Sequence, residues 1–307
     1  MTSRPTASHR PDSAAIESQQ SPFRLGLIGR GIDKSLAPAF HTIAGQMLGL
    51  DVTYELLPRD PAFSTQLDRL LEELGAAGYR GVNITVPFKA SAWQAASDAA
   101  DEVVSTGVAN TLLLGPAGPT NAFNTDFSGF KWAYGRRFAD ASPGTVALLG
   151  AGGVGTATAA ALVDLGATAI RIYDIFADRS HALADILRHR NAALPVDVAV
   201  SAEEAVDGVD GVVNGTPVGM YFQPGTPVDL AAIGDQRWLF DAIYSPIETE
   251  LMARAAEAKL ARITGFDLFL GQAIDAFEIF TGHHLAPAVL AELEARMWVV
   301  QHQREFP

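Results

Sequence analysis

One stretch decides the fold: Thr145-Val-Ala-Leu-Leu-Gly150-Ala-Gly152-Gly153-Val-Gly155-Thr-Ala-Thr-Ala-Ala-Ala-Leu-Val163. Its first residues are apolar β-formers, its middle is rich in glycine, and its end is rich in alanine, which predicts a strand, a tight turn and a helix. Gly150, Gly152 and Gly155 match the spacing G-x-G-x-x-G. In that motif the glycines permit the turn, let the backbone approach a pyrophosphate and let the helix pack on its strand. A plain strand-to-helix turn is the alternative, because glycine-rich turns are common.

An acidic residue after the next apolar strand supports the dinucleotide interpretation. Ala169-Ile-Arg-Ile-Tyr173 is followed by Asp174, close to the ~20-residue separation at which an acidic side chain binds a ribose 2′-hydroxyl. A carboxylate there repels the 2′-phosphate of NADP, and no arginine follows Asp174 directly. The sequence therefore predicts NAD as the cofactor, bound by Asp174 and by the residues of the turn: Gly150, Ala151, Gly152, Gly153, Val154 and Gly155.

Composition limits the class of protein. The chain has 307 residues, of which 48% are hydrophobic and 19% charged, as expected for a globular protein of two domains. Its net charge of -13 argues against nucleic acid or an anionic membrane as a partner. It has no cysteine, which excludes disulfides and thiolate chemistry. With neither a membrane span nor a signal peptide visible, we expect a cytoplasmic protein.

The fold class expected from the pattern is α/β. Residues 1–21 read as a disordered leader, rich in Ser, Pro, Thr and Gln. Residues 22–129 together with 265–307 are predicted to form a first α/β domain, and residues 130–264 a Rossmann-type dinucleotide-binding domain. Alternation of strands and helices predicts parallel sheets, with a hairpin late in the first domain around Gly115–Pro119. A final amphipathic helix from Pro287 to Val300 is expected to return to the first domain.

Two ionisable residues near strand ends are candidates for moving a proton when hydride leaves an alcohol. Lys89 follows a predicted strand that ends at Pro87, and Asp126 follows the second strand of the hairpin. A lysine and an aspartate held together can share a proton with a substrate hydroxyl. The alternative is structural: Lys89 would be a solvated lysine at a helix start, and Asp126 a helix cap.

These residues belong to a larger set of motifs through which the chain resembles the shikimate/quinate dehydrogenase family over nearly all of residues 23–300. Besides the glycine turn, the motifs are Lys34-Ser35-Leu36-Ala37-Pro38 with His41; Asn83-Ile84-Thr85-Val86-Pro87-Phe88-Lys89; Gly107-Val108-Ala109-Asn110-Thr111; Asn124-Thr125-Asp126-Phe127-Ser128-Gly129; Val213-Asn214-Gly215-Thr216-Pro217-Val218-Gly219-Met220; Asp241-Ala242-Ile243-Tyr244-Ser245-Pro246; and Gly265-Phe266-Asp267-Leu268-Phe269-Leu270-Gly271-Gln272.

The resemblance implies an NAD(P)-dependent oxidoreductase whose N-terminal domain binds a cyclic polyol carboxylate. Lys89 would be the acid/base catalyst and Asp126 its partner. Further hydrogen bonds to the ring would come from Thr85, Asn110 and Gln272, and the carboxylate would be held by Ser35 and Tyr244. The nicotinamide end of the cofactor site would be lined by Asn214, Thr216, Pro217, Met220 and Gly265.

Three positions depart from the family pattern. Ala37 stands where the family usually has a second hydroxyl-bearing residue, which removes one hydrogen bond to the carboxylate and leaves the choice among shikimate, quinate and an amino-substituted analogue open. Lys34 stands where histidine is common; it is either a compensating cation or a solvated loop residue. Asp174 replaces the Asn-Arg-Thr pattern of NADP-using members, which again favours NAD.

The histidines give little information about function. His41 is expected to be structural, and His283 and His284 lack the acidic neighbours of a metal site, so no metal site is predicted. The NAD preference favours oxidative use of quinate or shikimate over biosynthesis. The alternatives are a related dehydrogenase for another hydroxy acid and a non-catalytic sensor that kept the fold. A homodimer is considered, although the sequence does not fix the oligomeric state.

Overall fold

The structure is a computed structural model that describes residues 22–305, apart from the side chains of Ser64 and Thr65. The leader expected at residues 1–21 lies outside the described residues. The chain divides into two units: one comprises the segment up to Thr125 together with the segment from Ala273 onward, and the other runs from Asp126 to Gln272. Each unit contains one β-sheet.

The strands of the first unit are β1 (Phe23–Gly29), β2 (Val52–Pro58), β3 (Tyr79–Ile84), β4 (Asp98–Ala99), β5 (Thr111–Gly115) and β6 (Gly118–Phe123). Those of the second are β7 (Thr145–Leu149), β8 (Ala169–Tyr173), β9 (Val196–Val198), β10 (Gly211–Asn214), β11 (Trp238–Asp241) and β12 (Ala261–Ile263).

The α-helices in chain order are α1 (Ala37–Leu48), α2 (Leu67–Ala76), α3 (Lys89–Ala95), α4 (Asp101–Thr106), α5 (Thr125–Phe138), α6 (Gly153–Asp164), α7 (Ala177–Arg190), α8 (Ala202–Val206), α9 (Glu250–Glu257), α10 (Gly265–Thr281) and α11 (Pro287–Glu305). Among residues 22–305, no helix combines the length and the apolar character needed to cross a bilayer.

The sheet of the first unit is mixed rather than parallel. Its strand order is β2-β1-β3-β5-β6-β4, and β1 runs parallel to β2 and β3. Strand β5 runs antiparallel to both β3 and β6. The turn between Gly115 and Gly118 is far too short for a parallel crossover, so it closes the predicted hairpin and reverses one strand. The parallel pairing of β1 with β2 and β3 and the antiparallel hairpin of β5 and β6 thus both follow the prediction.

Helices cover the first sheet with apolar side chains that are spaced three or four residues apart and so lie on one helix face. Leu67, Leu70, Leu71 and Leu74 of α2 are buried in one core cluster with Val82 of β3. Helix α11 buries Leu293 and Met297 and contacts α1. This contact confirms the predicted return of the C-terminal helix to the first domain.

The sheet of the second unit is wholly parallel, in the order β12-β11-β10-β7-β8-β9. Counted from the first strand of this unit, the order is that of the doubly wound dinucleotide-binding fold, whose ligand lies outside the carboxyl ends of the strands where the order reverses. Here the reversal lies between β7 and β10. The glycine turn follows β7, so the Rossmann-type prediction is confirmed.

The division between the units differs by a few residues from the predicted domain bounds. Residues 126–129 and 265–272, assigned from the sequence to the first domain, lie in the second unit. The physical reason is packing: Phe130 of α5 is fully buried, with its ring centroid 5.0 Å from that of Phe240 on β11. Leu268 of α10 is buried in the same core cluster.

Candidate active site

Loops that carry predicted site residues converge on one edge of the first sheet. The carboxyl ends of β1, β3 and β6 and the amino end of β5 share this edge, because β5 is antiparallel to its neighbours. Backbone bonds fasten the loops together: the Thr85 amide donates to the Ile28 carbonyl at 2.9 Å, and the Asn110 amide to the Phe123 carbonyl at 3.0 Å. Thr85, Lys89 and Asn110 therefore lie at the edge where β1 ends and the loop carrying Ser35 begins.

Lys89 is the buried cation of this edge. It is the first residue of α3, and only 8% of its surface is exposed. The preceding residue, Phe88, is fully buried, and the Ala109 amide donates to the Lys89 carbonyl at 2.9 Å. The alternative that Lys89 is a solvated helix-start lysine is therefore wrong.

A buried polar network fixes the side chain of Asn110. Its Oδ1 accepts from the Thr125 amide at 2.7 Å and from Thr111 Oγ1 at 3.0 Å. Asn83 Nδ2 donates to Thr111 Oγ1 at 2.9 Å, and Tyr54 Oη donates to Asn83 Oδ1 at 2.8 Å. Because the oxygen of the Asn110 amide is used inside the protein, the orientation of the whole group is set before any ligand arrives. Sequence reasoning quoted Asn83 and Thr111 within motifs but assigned neither a role.

Ser35 lies in a tight turn that prepares its hydroxyl as a donor. The Ser35 amide donates to the Ile32 carbonyl at 2.8 Å, and Ser35 Oγ accepts from the Ala37 amide at 3.2 Å. A hydroxyl that accepts one bond still has its proton to donate, which suits a carboxylate. Arg304 of α11 donates to the backbone carbonyls of Ser35, at 2.7 Å, and of Lys34, at 3.1 Å. Nothing in the sequence pattern indicated this role for Arg304.

In the second unit, Asp126 and Gln272 lie on two helices that touch each other. Asp126 lies in the first turn of α5 and is 3% exposed; since the helix begins at Thr125, Asp126 is not its cap. A Cβ on Gly129 would lie 2.6 Å from the Gln272 amide nitrogen, and a Cβ on Gly271 2.6 Å from the Gly129 carbonyl oxygen. The two glycines thus let α5 and α10 touch one turn beyond Asp126.

Tyr244 lies against the same helix α10. Its ring centroid is 5.8 Å from that of Phe269, about one turn before Gln272. Gly265, at the start of α10, approaches the chain leaving β11 so closely that a Cβ would lie 2.5 Å from the Ala242 carbonyl oxygen. This glycine therefore permits the packing that places Tyr244.

The glycine turn after β7 has the geometry that a pyrophosphate needs. Gly150 has φ 95°, which favours glycine, and a Cβ on Gly155 would lie 1.9 Å from the Gly150 carbonyl oxygen. Gly152 precedes α6 without a side-chain cap, and a Cβ there would meet no atom within 4 Å. The first amides of the helix, beginning at Gly153 and Val154, thus face open space where an anion can approach.

Asp174 is fixed beside this turn. Its Oδ2 accepts from the Ala151 amide at 2.8 Å, and its Oδ1 accepts from the Phe176 amide at 2.9 Å. Each carboxylate oxygen keeps further acceptor capacity for a ribose hydroxyl. Ile175 and Phe176, which follow it, are exposed apolar residues, and the Arg179 guanidinium lies 4.5 Å from the centre of the Phe176 ring. These residues fit the NAD predicted from the sequence.

The loop after β10 is held by a buried side chain. Asn214 is fully buried, and its Oδ1 accepts from Thr216 Oγ1 at 2.7 Å and from the Thr216 amide at 3.0 Å. Farther along, the Met220 amide donates to the Pro217 carbonyl at 3.1 Å. Asn214 Nδ2 donates to Asp241 Oδ1 at 3.0 Å. The buried carboxylate of Asp241, also 0% exposed, was quoted in a sequence motif without a role.

His41, His283 and His284 are the histidines that the sequence analysis considered. Among residues 22–305, no group of three or more His, Cys, Asp or Glu residues could hold a metal ion. His284 Nδ1 lies 2.8 Å from Glu278 Oε2, six residues earlier in the last turn of α10. This is a single carboxylate and not a set of metal ligands. His41 is buried, 1% exposed, among aromatic rings.

Comparison with known proteins gives the same assignment as the fold and the site. The model of the shikimate dehydrogenase substrate binding domain matches residues 27–112. The quinate/shikimate dehydrogenase (NAD(+)) of Corynebacterium efficiens is 36% identical over 263 residues, which is 84% of this chain and 92% of that protein. The shikimate dehydrogenase (NADP(+)) of Pseudarthrobacter chlorophenolicus is 34% identical over 85% of this chain and 90% of that protein.

A solved structure extends the likeness to the whole fold. Quinate dehydrogenase from Corynebacterium glutamicum, in complex with NAD, superposes with a TM-score of 0.82 at 32% identity and covers 91% of this chain and 99% of its own. Fold and glycine turn together define an oxidoreductase of the nicotinamide-dinucleotide class. The chain belongs to the shikimate/quinate dehydrogenase family, whose members act on CH–OH groups.

Proposed function

We propose that this protein oxidises a ring hydroxyl of shikimate, quinate or a close analogue to the 3-dehydro ketone, with NAD as cofactor. The observation that carries the proposal is Lys89, a lysine buried at the sheet edge that also bears Thr85 and Asn110. Relatives that are 36% identical over 84% of this chain are quinate/shikimate dehydrogenases (NAD(+)), and the family resemblance assigns the same lysine to catalysis.

The cofactor would be held by backbone amides and one carboxylate. Gly150 to Gly155 would surround the pyrophosphate, with Gly152 leaving room for it. Asp174 would accept hydrogen bonds from the adenosine ribose and repel a 2′-phosphate. Thr216, Pro217 and Met220 would line the nicotinamide end, and Asn214, being fully buried, would act by holding their loop. When bound, NAD supplies the hydride acceptor for the ring carbinol carbon.

The protein's own residues would bind the polyol and move the proton. Ser35 would donate its hydroxyl proton to the substrate carboxylate, and Tyr244 would donate to the same group. Thr85, Asn110 and Gln272 would bind ring hydroxyls, which need several directional partners, because an unpaired polar group in a dry site costs about 1–3 kcal/mol. Lys89, with Asp126 as its partner, would take the proton from the hydroxyl that is oxidised.

The NAD preference favours the oxidative direction, since cellular NAD pools are mostly oxidised; use in quinate or shikimate catabolism follows from that reasoning. The partner of the protein is accordingly a small cyclic polyol carboxylate. A cytoplasmic location and a homodimer are also proposed from the sequence, and light scattering of the purified protein would test the dimer directly.

An absorbance assay at the NADH band tests the proposal. Purified protein is mixed with NAD or NADP and, in turn, with shikimate, quinate and an amino-substituted analogue. We expect turnover with NAD on at least one of them and a preference for NAD over NADP. Binding of NAD without turnover on any of these compounds would instead support the non-catalytic sensor.

A further inference from the structure

Asp241 is a buried carboxylate to which the proposed mechanism gives no role. It is the last residue of β11, at the carboxyl edge of the second sheet, and is 0% exposed. An ionised carboxylate removed from water is costly unless hydrogen bonds replace its hydration. The hydrogen-bond donors around Asp241 therefore indicate its role.

Three donors converge on this carboxylate. Thr249 Oγ1 donates to Oδ2 at 2.6 Å, while Asn214 Nδ2 and the Ile243 amide donate to Oδ1 at 3.0 and 3.1 Å. All three bonds require Asp241 to accept. A protonated carboxyl group donates from one oxygen, so the bond with Thr249 could persist only with its direction reversed, and the bonds from Asn214 and Ile243 would lose the charge that strengthens them.

The three donors belong to two loops. Asn214 begins the loop that carries Thr216 and Met220, and Ile243 precedes Tyr244 directly. Thr249 is the N-cap of α9, whose Oγ1 accepts from the Met252 amide at 3.1 Å. A single carboxylate thus fixes the start of one loop and both ends of another.

We propose that Asp241 is a positioning residue, which in its charged form holds the Thr216–Met220 loop and the Ile243–Tyr244 segment in one arrangement. This inference rests on the proposed function, in which the first segment lines the nicotinamide end and Tyr244 binds the substrate carboxylate. Losing the arrangement would weaken both NAD and substrate binding, although Asp241 touches neither.

The state of Asp241 is set by burial and by uncharged donors. Burial raises the pKa of Asp241 to about 6, and the bonds from Thr249, Ile243 and Asn214 act in the opposite direction. Charged residues beside its donors lie at the surface: Glu248 and Glu250 are exposed, and Glu248 pairs with Arg262 at 3.0 Å. Asp241 accordingly gains a proton as the pH falls through about 6, and its hydrogen bonds then lose the strength that the charge gives them.

Two variants of Thr249 provide the test. Thr249→Val removes the 2.6 Å hydrogen bond, so the pKa of Asp241 should rise, and the acid limb of kcat/KM should move up by about one pH unit. Thr249→Ser keeps the hydroxyl and should restore the wild-type profile. Because Thr249→Val also removes a helix cap, Ser201→Ala, which removes the cap of α8, is the matched control and should leave the profile unchanged.

A binding measurement separates this inference from the proposed function. Calorimetric titration of wild-type protein with NAD alone should show affinity falling about tenfold between pH 7 and pH 5, and the fall should begin at higher pH in Thr249→Val. These outcomes need no turnover. A wild-type profile in Thr249→Val, or an equal shift in Ser201→Ala, would overturn the inference.

If Thr249→Val does not fold, Asp241→Asn is the second variant. Its amide is uncharged at every pH and replaces one acceptor oxygen with a donor, so NAD affinity should be reduced tenfold or more and should no longer change through pH 6. Unaltered NAD affinity in a folded Asp241→Asn protein would equally reject the positioning role.

Discussion

Arg304 and Ser35 are joined by a hydrogen bond of 2.7 Å between a guanidinium and a backbone carbonyl, although they lie 269 positions apart in the chain. The same guanidinium reaches the Lys34 carbonyl at 3.1 Å. The last helix therefore sets the position of the turn that carries the Ser35 hydroxyl. If Ser35 binds the substrate carboxylate, Arg304 influences substrate binding without touching the substrate.

Replacing Arg304 should therefore raise KM for the polyol and little else. Arg304→Ala removes charge-assisted bonds, and we expect a three- to tenfold rise in KM, about 0.7–1.4 kcal/mol, with kcat and NAD affinity unchanged. Arg296→Ala, on the same helix and paired with Glu292, is the control. Equal steady-state constants for both variants would show that the bond to Ser35 has no effect on the site.

Lys89 and Asp126 should act in catalysis and not in cofactor binding. Lys89→Met keeps most of the side-chain volume and removes the amine, and we expect kcat to fall by about 10²–10⁴. The kcat of Asp126→Asn should fall by a factor in the same range. If the two residues share one proton, the loss of kcat in the double variant should be far smaller than the product of the two single losses. Calorimetry should find NAD affinity within twofold of wild type; an active Lys89→Met protein would remove the lysine from the mechanism.

Two glycines of the turn should respond differently to alanine. Gly152 has φ -80° and open space around a Cβ, so Gly152→Ala should keep the wild-type Tm but weaken NAD binding at least tenfold, because the methyl group occupies the space proposed for the pyrophosphate. A Cβ on Gly155 would lie 1.9 Å from the Gly150 carbonyl oxygen, so Gly155→Ala should lower Tm. Scanning fluorimetry and calorimetry distinguish the two effects; tight NAD binding by Gly152→Ala would place the pyrophosphate elsewhere.

Asp174 should determine the choice of cofactor. In Asp174→Ala the repulsion of a 2′-phosphate is lost together with the bond to the Ala151 amide, so kcat/KM should fall with NAD and rise with NADP, and their ratio should change by about 10–100-fold. Asp178→Asn, in the first turn of α7, removes a nearby charge without touching the turn. Its cofactor ratio should stay at the wild-type value, and a similar shift in both variants would make the effect one of overall charge.

His41 should make stability depend on pH. Its ring stacks on Tyr54 at 4.7 Å, and burial lowers the pKa of His41 to about 3. Between pH 3 and about 6.5 the unfolded chain binds a proton that the folded protein does not, so the free energy of unfolding should fall as the pH falls, by up to about 1.4 kcal/mol per pH unit.

Urea unfolding at pH 5, 6 and 7 would measure this effect. His41→Phe should remove the contribution, whereas His181→Phe, at an exposed position, should retain it. The difference in slope from wild type is the quantity to compare, because the raised pKa of Asp241 contributes a slope of the opposite sign. Parallel slopes in wild type and His41→Phe would contradict the assignment.

Local signals in the sequence were sufficient to predict the fold and the cofactor of the second unit. The Gly150–Gly155 spacing and the acidic residue after β8 predicted the Rossmann-type fold and NAD, because turn, strand and helix signals there are contiguous in the chain. The first sheet was harder, since period and composition do not state the direction of a strand. The turn around Gly115–Pro119 predicted that β5 and β6 pair antiparallel, but the place of the hairpin beside β3 depends on pairing between strands that are separate in sequence.

Residues that hold the site in place were the hardest to predict. Lys89 and Asp126 stand beside predicted strand ends, so their chemistry could be read locally. Asp241 and Arg304 act through partners that the fold alone brings near, and neither has a neighbour in sequence that reveals its bonds. Asn83 likewise lies in a quoted motif, but its link to Tyr54 and Thr111 depends on the pairing of separate strands.

The order of the units along the chain has a consequence for biosynthesis. The second unit is one continuous segment from Asp126 to Gln272, whereas the first needs both the segment before it and the segment after it. Because domains fold as units while the chain is being made, the nucleotide unit has all its strands when the ribosome passes Gln272. The first unit must wait for α11, so a message truncated before Pro287 would yield a protein that lacks the helix securing Ser35.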